Sequence, residues 1–415
     1  MITVSVVSTG NELLYGKTAD TNSGHICGLL FPLDLRVATI MAVGDDIDSI
    51  ERALRQCLSI SDLVIMTGGL GPTDDDNTIA ALGRIFSFTV VTHAESQARM
   101  EKFFDRLGNP MSRGDLKMTE VPSTARVIDN AVGLAPGFMI REGGATVIAL
   151  PGVPREMADM MARSVMPFLT GECGIRRRQS LSFRVIGMKE SDINAAVVSL
   201  KPAERGLEWG ITAKEGVGTV TMLRKDGGDF DEAALRGEIW GLFGGRLLEA
   251  AAERPEEEIL DLLRELKMTL ACAESCTGGL VAKRLTDIPG SSDVFVGGVV
   301  AYANDVKVRL LDVSPATLEA KGAVSAETAA EMARGVRTAL STDIGLSVTG
   351  IAGPGGGSEG RPVGTVWFGL AHEGGVLTMT RTIPGDRERV RTFSSIVSLE
   401  MLREFLKEQK ANKVV

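Results

Sequence analysis

The sequence predicts an α/β protein of three domains, and three observations carry that reading. At 415 residues the chain exceeds what one core organises, since domains run at roughly 150 residues each. Short apolar runs ending in glycine alternate with stretches of helical periodicity, the pattern of sheets covered by helices. Composition breaks twice, at a basic step "RRRQ" (176–179) and at an acidic, alanine-rich "EAAAERPEEE" (249–258) that reads as a linker. The expected domains are therefore 1–172, 175–250 and 256–412.

In the first segment "ITVSVVS", "LRVATIMAVG", "DLVIMTGG" and "ATVIALPG" read as buried strands. Between them "DDIDSIERALRQCL", "HAESQARMEKFFDRLG" and "PREMADMMARSVMPFL" have helical spacing, with Asp45 or Asp46 placed to cap the first. Near-continuous apolar strands separated by helices predict a doubly wound, parallel-type sheet. The middle segment reads as a small α+β domain. It holds a strand "SLSFRVIG", a helix from Glu190 capped by Glu190 or Ser191, two strands around "LEWGITAKEGVGTVTML", and a helix from Asp229. The third segment mixes strands ("VFVGGVVAYA", "IGLSVTGIAG", "VGTVWFGLAH") with helices ("EEEILDLLRELK", "SAETAAEMARGVRTAL", "RERVRTFSSIVSLEMLREFLKEQ"), and the tail "KANKVV" reads as frayed.

Composition narrows the function classes. A net charge of −9 gives no chain-wide attraction to nucleic acid or anionic lipid, and basic and aromatic residues are not interleaved. "MITVSVVSTG" lacks a basic region before an apolar run, so no signal peptide is expected. No window approaches the 18 or so apolar residues of a membrane span. Five cysteines, odd in number and sparse, fit a reduced cytoplasmic setting. The expected partners are small molecules, without nucleic acid or membrane.

Chemistry concentrates first at "TGGLGPTDDDNT" (67–78), directly after a strand. Gly68, Gly69 and Gly71 let backbone amides approach an anion, and Asp74, Asp75 and Asp76 crowd like charges. The carboxyl end of a strand is where open α/β sheets bind ligands. Glu12, Asp20 and Asn22 follow the first strand, Asp45 and Asp46 the second, and Glu156 the last. Many carboxylates with few basic partners suggest a hard cation bridging a phosphate; a loop with capping aspartates is the plainer alternative.

"GNELLYGKTADTNS", "GGLGPTDDDNT" and "LPGVPRE" together resemble the molybdopterin-binding domain as it occurs in the competence/damage-inducible protein CinA family. The resemblance places two site aspartates at Asp45 and Asp76, and implies a metal site drawn from Asp45, Asp75, Asp76 and Glu156. Asn22, Gly68, Gly69 and Gly71 would contact substrate. It further implies ADP-ribose pyrophosphatase activity, yielding AMP and ribose 5-phosphate, dependent on a divalent metal (Mg, Mn or Co) and potassium. A molybdopterin role is the alternative. Asn11 stands where the family often has threonine.

The second concentration is "LACAESCTGGL" (270–280), open to four readings. Cys272 and Cys276 lack the further Cys or His ligands of a zinc site. A Cys276 nucleophile needs a base, and His372 is the one histidine downstream. A structural strand-to-helix turn is the third. The fourth is a Ser275 nucleophile, with Thr277, Gly278 and Gly279 opening a helix whose free amides receive an oxyanion or phosphate. Serine needs activation, and "GGVVAYANDVKVRLL" offers Tyr302 and Lys307; by sequence alone that lysine reads as a solvated helix residue.

"AESCTGG", "AYANDVK" and "VTGIAGPGGGSEGRPVGTVW" resemble the CinA C-terminal domain, the nicotinamide mononucleotide (NMN) deamidase family, and the combined resemblance spans the chain. It implies an α/β amidohydrolase with Ser275 as nucleophile, Lys307, 32 residues on, as general base and Tyr302 as an assisting hydroxyl. Gly353, Gly355, Gly356 and Gly357 read as a flexible, backbone-rich loop able to wrap a ribose phosphate, with Arg361 adding a cation; a mobile surface loop is the plainer alternative. No cofactor is implied for that step, and the family's habit implies a homodimer. The competing non-enzyme reading is a competence or DNA-damage accessory.

Overall fold

The computed structural model describes residues 2–225 and 230–413. It divides into two compact units, one ending at Ser180 and taking in Arg224, the other comprising Leu181–Leu223 and the described chain from Phe230 onward. The middle segment has its own sheet and core but shares a unit with the C-terminal segment.

In the first unit, β1 (Ile2–Thr9), β2 (Leu35–Val43) and β3 (Leu63–Thr67) precede a short two-stranded ribbon of β4 (Val90–Thr92) and β5 (Glu120–Pro122). Then come β6 (Arg126–Ile128), β7 (Gly137–Glu142) and β8 (Ala145–Leu150). The main sheet has the order β2-β1-β3-β8-β7-β6. The four strands foreseen from sequence run parallel, whereas β7 and β6 are antiparallel additions, so the sheet is mixed rather than wholly parallel. Alternation sends Val4 and Val6 to one face, against Met157 and Met160. Val7 and Met66 go to the other, against Ile50 and Leu54. Asp46, not Asp45, caps the helix Ile47–Ile60, accepting from the Ser49 amide at 2.8 Å.

The second unit opens with β9 (Ser180–Ile186), β10 (Leu207–Lys214) and β11 (Val217–Arg224), in the order β10-β11-β9. Glu215 and Gly216, both at positive φ (48° and 79°), make the two-residue turn between β10 and β11, as a tight hairpin requires. The helix Glu190–Ser199 starts after Lys189 without a side-chain cap, so neither Glu190 nor Ser191 caps it. The helix Glu232–Phe243 is capped by Asp231; the expected start at Asp229 lies outside the described residues.

The final sheet combines β12 (Leu270–Glu274), β13 (Phe295–Val300), β14 (Ile344–Gly350), β15 (Thr365–His372) and β16 (Gly375–Thr382) in the order β13-β12-β14-β15-β16. The first three are mutually parallel and the last two antiparallel, which puts β12 in the parallel core.

Two expectations fail at the ends of this segment. "EAAAERPEEE" is not a free linker: a helix starts at Pro255, and Glu256 and Glu258 are fully buried. Glu258 holds the buried Arg403 at 2.7 Å and Lys407 at 2.9 Å. Nor do the described residues of the tail fray: the helix Arg387–Lys413 runs through them, and Lys413 Nζ donates to the Leu266 carbonyl at 3.0 Å, while 414–415 lie outside the described residues. No helix among the described residues is long and apolar enough to cross a membrane.

Candidate active site

β12 ends at Glu274, and the Ser275 amide donates to the Val348 carbonyl of β14 at 2.9 Å, so the sheet itself fixes the serine. Gly278 and Gly279, at φ 61° and 94°, turn the chain into the helix Leu280–Thr286. Glu274, 1% exposed, points its carboxylate into that turn. Its Oε2 accepts from the amides of Gly279 (2.9 Å) and Val281 (3.1 Å), and Oε1 from Ala282 (2.8 Å). The amides expected to be free for an anion are therefore largely taken, because a buried carboxylate needs donors and these are the nearest. The Gly278 amide is also used, by the Ser275 carbonyl at 3.2 Å. Among the described residues those of Cys276 and Thr277 have no backbone acceptor, and the Cys276 amide lies against its own sulfur.

Lys307, in the helix Asn304–Leu311, is 1% exposed rather than solvated. Its Nζ lies 3.1 Å from Ser275 Oγ and donates to the carbonyls of Ala301 (2.7 Å) and Tyr302 (3.2 Å). Burial pulls its pKa below the ordinary lysine value, opposed by the Cys276 thiolate form nearby. Tyr302 reaches Lys307 through its carbonyl, while its phenol is 59% exposed and accepts from Arg387 at 2.7 Å. Burial pushes the Cys276 thiol up to about 12 and the Cys272 thiol well above the ordinary range. Burial that favours the protonated thiols disfavours a thiol nucleophile, and among the described residues no group of three His, Cys, Asp or Glu accompanies the cysteines as a metal clip needs.

Two site arginines escaped the sequence reading. Arg387 bridges the Tyr302 phenol and the Gly353 carbonyl (2.9 Å), and Arg391 donates to the Thr277 carbonyl at 2.9 Å. The signal was their four-residue spacing, which puts both on one face of the final helix. The buried Thr277 Oγ1 has no hydrogen-bond partner. Of the glycine loop, Gly353 (φ 80°) is buried against Val363, while Gly355, Gly356 and Arg361 are exposed. Arg361 lies over Gly322, and no hydrogen bond or ion pair among the described residues joins it to Ser275 or Lys307.

In the first unit a cleft of about 480 Å³ is lined by Glu12, Asp45, Gly68, Gly69, Gly71, Asp75, Asp76 and Glu156 among others. Asn22 is not part of the wall: its Nδ2 ties Thr67 Oγ1 (3.0 Å) to the Gly152 carbonyl (2.8 Å), a structural clamp. Gly68 and Gly69 are also needed for packing, since a Cβ would sit 2.6 Å from the Thr9 carbonyl and 2.4 Å from Thr78 Oγ1. The acids share the cleft but do not converge. Asp45 accepts from the Asn11 amide (2.9 Å), Asp76 from the Thr73 amide (2.8 Å) and hydroxyl (2.6 Å), and Glu156 from Asn130 Nδ2 (2.7 Å). Among the described residues no three of His, Cys, Asp and Glu are grouped to hold a metal, so the expected four-carboxylate set is not assembled. Burial first, then the charges of Glu12, Asp75 and Asp76, push the Asp45 carboxyl up.

Comparison with known proteins matches residues 5–171 to a probable molybdopterin binding domain and residues 252–406 to the CinA C-terminal domain. A CinA-like protein of Geobacter metallireducens is 40% identical over 415 residues, covering 97% of this chain and 98% of its own. One of Geotalea uraniireducens is 37% identical, covering 99% of each. A crystal structure of CinA, of unknown function, from Thermoplasma acidophilum aligns with 40% of this chain and 96% of its own at 36% identity and TM-score 0.37.

Proposed function

Because the chain belongs to the CinA family, we propose that its C-terminal segment is a serine amidohydrolase acting on nicotinamide mononucleotide. One observation supports this above the rest: a lysine sealed from solvent, its proton affinity reduced by burial, 3.1 Å from a serine hydroxyl. A neutral amine donates its two N–H groups to the Ala301 and Tyr302 carbonyls and turns its lone pair to Ser275.

Ser275 Oγ attacks the carboxamide carbon while its proton passes to Lys307 Nζ. The oxyanion is received by the Cys276 and Thr277 amides, the donors that Glu274 leaves unused. Nζ returns the proton to the departing nitrogen, the C–N bond breaks, and ammonia leaves an ester on Ser275. Water then gives a proton to Nζ and adds to the ester carbon. The ester C–O bond breaks, Ser275 regains its proton, and nicotinic acid mononucleotide departs. Arg387 and Arg391 supply the cations for the substrate phosphate.

Ammonia release from the mononucleotide tests the assignment. Ser275→Ala and Lys307→Ala each lower it by roughly a thousandfold or more, while Cys276→Ala stays within about tenfold. Near-normal turnover in Ser275→Ala ends the reading.

For the N-terminal cleft, we read the substrate as ADP-ribose, cleaved to AMP and ribose 5-phosphate with a divalent cation. The chain offers no ready cage, but magnesium-like ions commonly take one or two carboxylates and complete their shell with substrate phosphate and water. Asp45, crowded by other acids, is the first candidate ligand. A chelator removes ADP-ribose cleavage and spares ammonia release; equal loss of both contradicts the division.

A further inference from the structure

A cavity of about 460 Å³, within the size range of small-molecule sites, lies in the second unit between the β10–β11 hairpin and the helix Leu280–Thr286. Nothing in the deamidation chemistry uses it. Its walls carry Lys214, Glu215, Arg254, Glu256, Lys283 and Arg284. Glu256 is 0% exposed, and its Oε1 accepts from Arg284 Nε at 2.5 Å. Its Oε2 is buried with no hydrogen bond, Arg254 Nε approaching only to an ion-pair distance of 3.5 Å. A buried carboxylate oxygen without a donor is costly, and in native folds it calls for an explanation.

The cations differ in how fully they are used. Arg284, 7% exposed, is spent on Glu256 and on Glu215 at 3.3 Å. Lys283 is 65% exposed and shares Asp287 (2.7 Å) with the more distant Arg254 (3.9 Å). Lys214 is exposed and has no acidic partner among the described residues. The cavity thus presents a buried acceptor lacking a donor, together with ammonium groups open to solvent. An anion alone satisfies the lysines but is repelled by Glu256; a cation alone does the reverse. The matching ligand carries both an N–H donor and, apart from it, an anionic group such as a phosphate.

We infer that this cavity is a second nucleotide site, for a mononucleotide whose base bears an exocyclic amino group: the amino group donates to Glu256 Oε2 and the phosphate meets Lys214 and Lys283. The probe is AMP, titrated calorimetrically into the full chain, with IMP lacking the amino group and adenosine lacking the phosphate. AMP binds saturably, and IMP and adenosine bind at least about tenfold more weakly, the loss expected when a hydrogen bond to a charged group goes unmade. Lys214→Ala weakens AMP about tenfold without moving the melting temperature, since that side chain holds nothing in the fold. Glu256→Gln abolishes the preference for AMP over IMP; should it misfold, Lys214→Ala still decides. No saturable AMP binding overturns the site, as does IMP binding as tightly as AMP. AMP binding untouched by Lys214→Ala also overturns it, because the nucleotide then sits in the acidic cleft or beside Ser275. The readout is binding, so it stands or falls separately from ammonia release.

Discussion

A glycine-bearing turn follows a parallel core strand in each unit, and the two turns treat their acids in opposite ways. After β12, Glu274 is buried and accepts from three backbone amides, so its charge is neutralised by the protein itself. After β3, Asp76 is bent back on Thr73 in a cleft open to solvent, and Asp45 is pressed by neighbouring acids. The first turn is finished before any ligand arrives, and a serine and lysine stand ready beside it. The second leaves charge that a ligand would have to balance. Preorganised dipoles suit a reaction that develops an oxyanion within the site, whereas uncompensated carboxylates suit one in which the substrate brings its own cation.

The largest expected effect breaks this contrast directly. Glu274→Gln keeps the shape but turns an NH2 toward amide donors. Hydrogen bonds to a charged acceptor are worth about 1.5–3 kcal/mol each, so the loss should reach roughly 3 kcal/mol or more, with a large drop in ammonia release. Asp76→Asn keeps an oxygen for Thr73 and should cost under about 1 kcal/mol. Urea unfolding of both variants gives the comparison; similar costs would show that the two turns are not organised differently.

How legible this was in the sequence depends on distance along the chain. The four parallel strands of the first sheet, the helices between them and the turn at Ser275 follow from local periodicity and glycine placement. The antiparallel β6 and β7 were missed because "RVI" and "GFMIRE" are short and carry no strong alternation. Glu256 and Glu258 looked like a solvated acidic run because their partners, Arg284 and Arg403, lie 28 and 145 residues away. Glu274 belonged to a recognised motif, but nothing in a sequence says which way a side chain points. In the acidic cleft, Asp45, Asp75, Asp76 and Glu156 line one wall while Asn22 does not, and among the described residues no three acids are grouped to hold a metal.

The burial of those glutamates predicts the second effect. Arg403 donates to the carbonyls of Gly245 (2.8 Å) and Leu247 (2.6 Å) as well as to Glu258. A chain beginning at Arg254 loses both carbonyls and should be less stable by about 3 kcal/mol, the low end for two hydrogen bonds from a charged donor. Thermal melting reads it. An unchanged melting temperature would return this stretch to the status of a linker, and would make the C-terminal core independent of the small domain.

Third, the finished site should show in its pH profile. The base acts only when neutral, and burial lowers its pKa, so the rising limb of kcat/KM for ammonia release lies below the 10.5 of an ordinary lysine. Lys307→Arg, which stays charged, removes that limb along with most of the rate. A limb at the ordinary lysine position would mean that the amine is solvated in the working enzyme.

The smallest effect sharpens the contrast from the other side. Asp45 has a folded-state pKa raised above its unfolded value, first by burial and then by Glu12, Asp75 and Asp76. A raised pKa means that the folded state binds the proton more tightly, so the group's contribution is fully present below the unfolded pKa and is lost as pH rises through the folded one. At neutral pH the ionised Asp45 therefore weighs against folding. Asp45→Asn removes the charge while its amide oxygen still accepts from the Asn11 amide, so it should stabilise the protein at pH 7, by less than about 1 kcal/mol because the site is partly solvated. The gain should vanish in acid, where Asp45 is already protonated. A divalent cation should raise the melting temperature of the wild type more than that of the variant, since it relieves a repulsion that only the wild type carries. If Asp45→Asn instead destabilises the protein at pH 7, the hydrogen bond to Asn11 outweighs the crowding, and the acidic cleft is as settled without a ligand as the turn that holds Ser275.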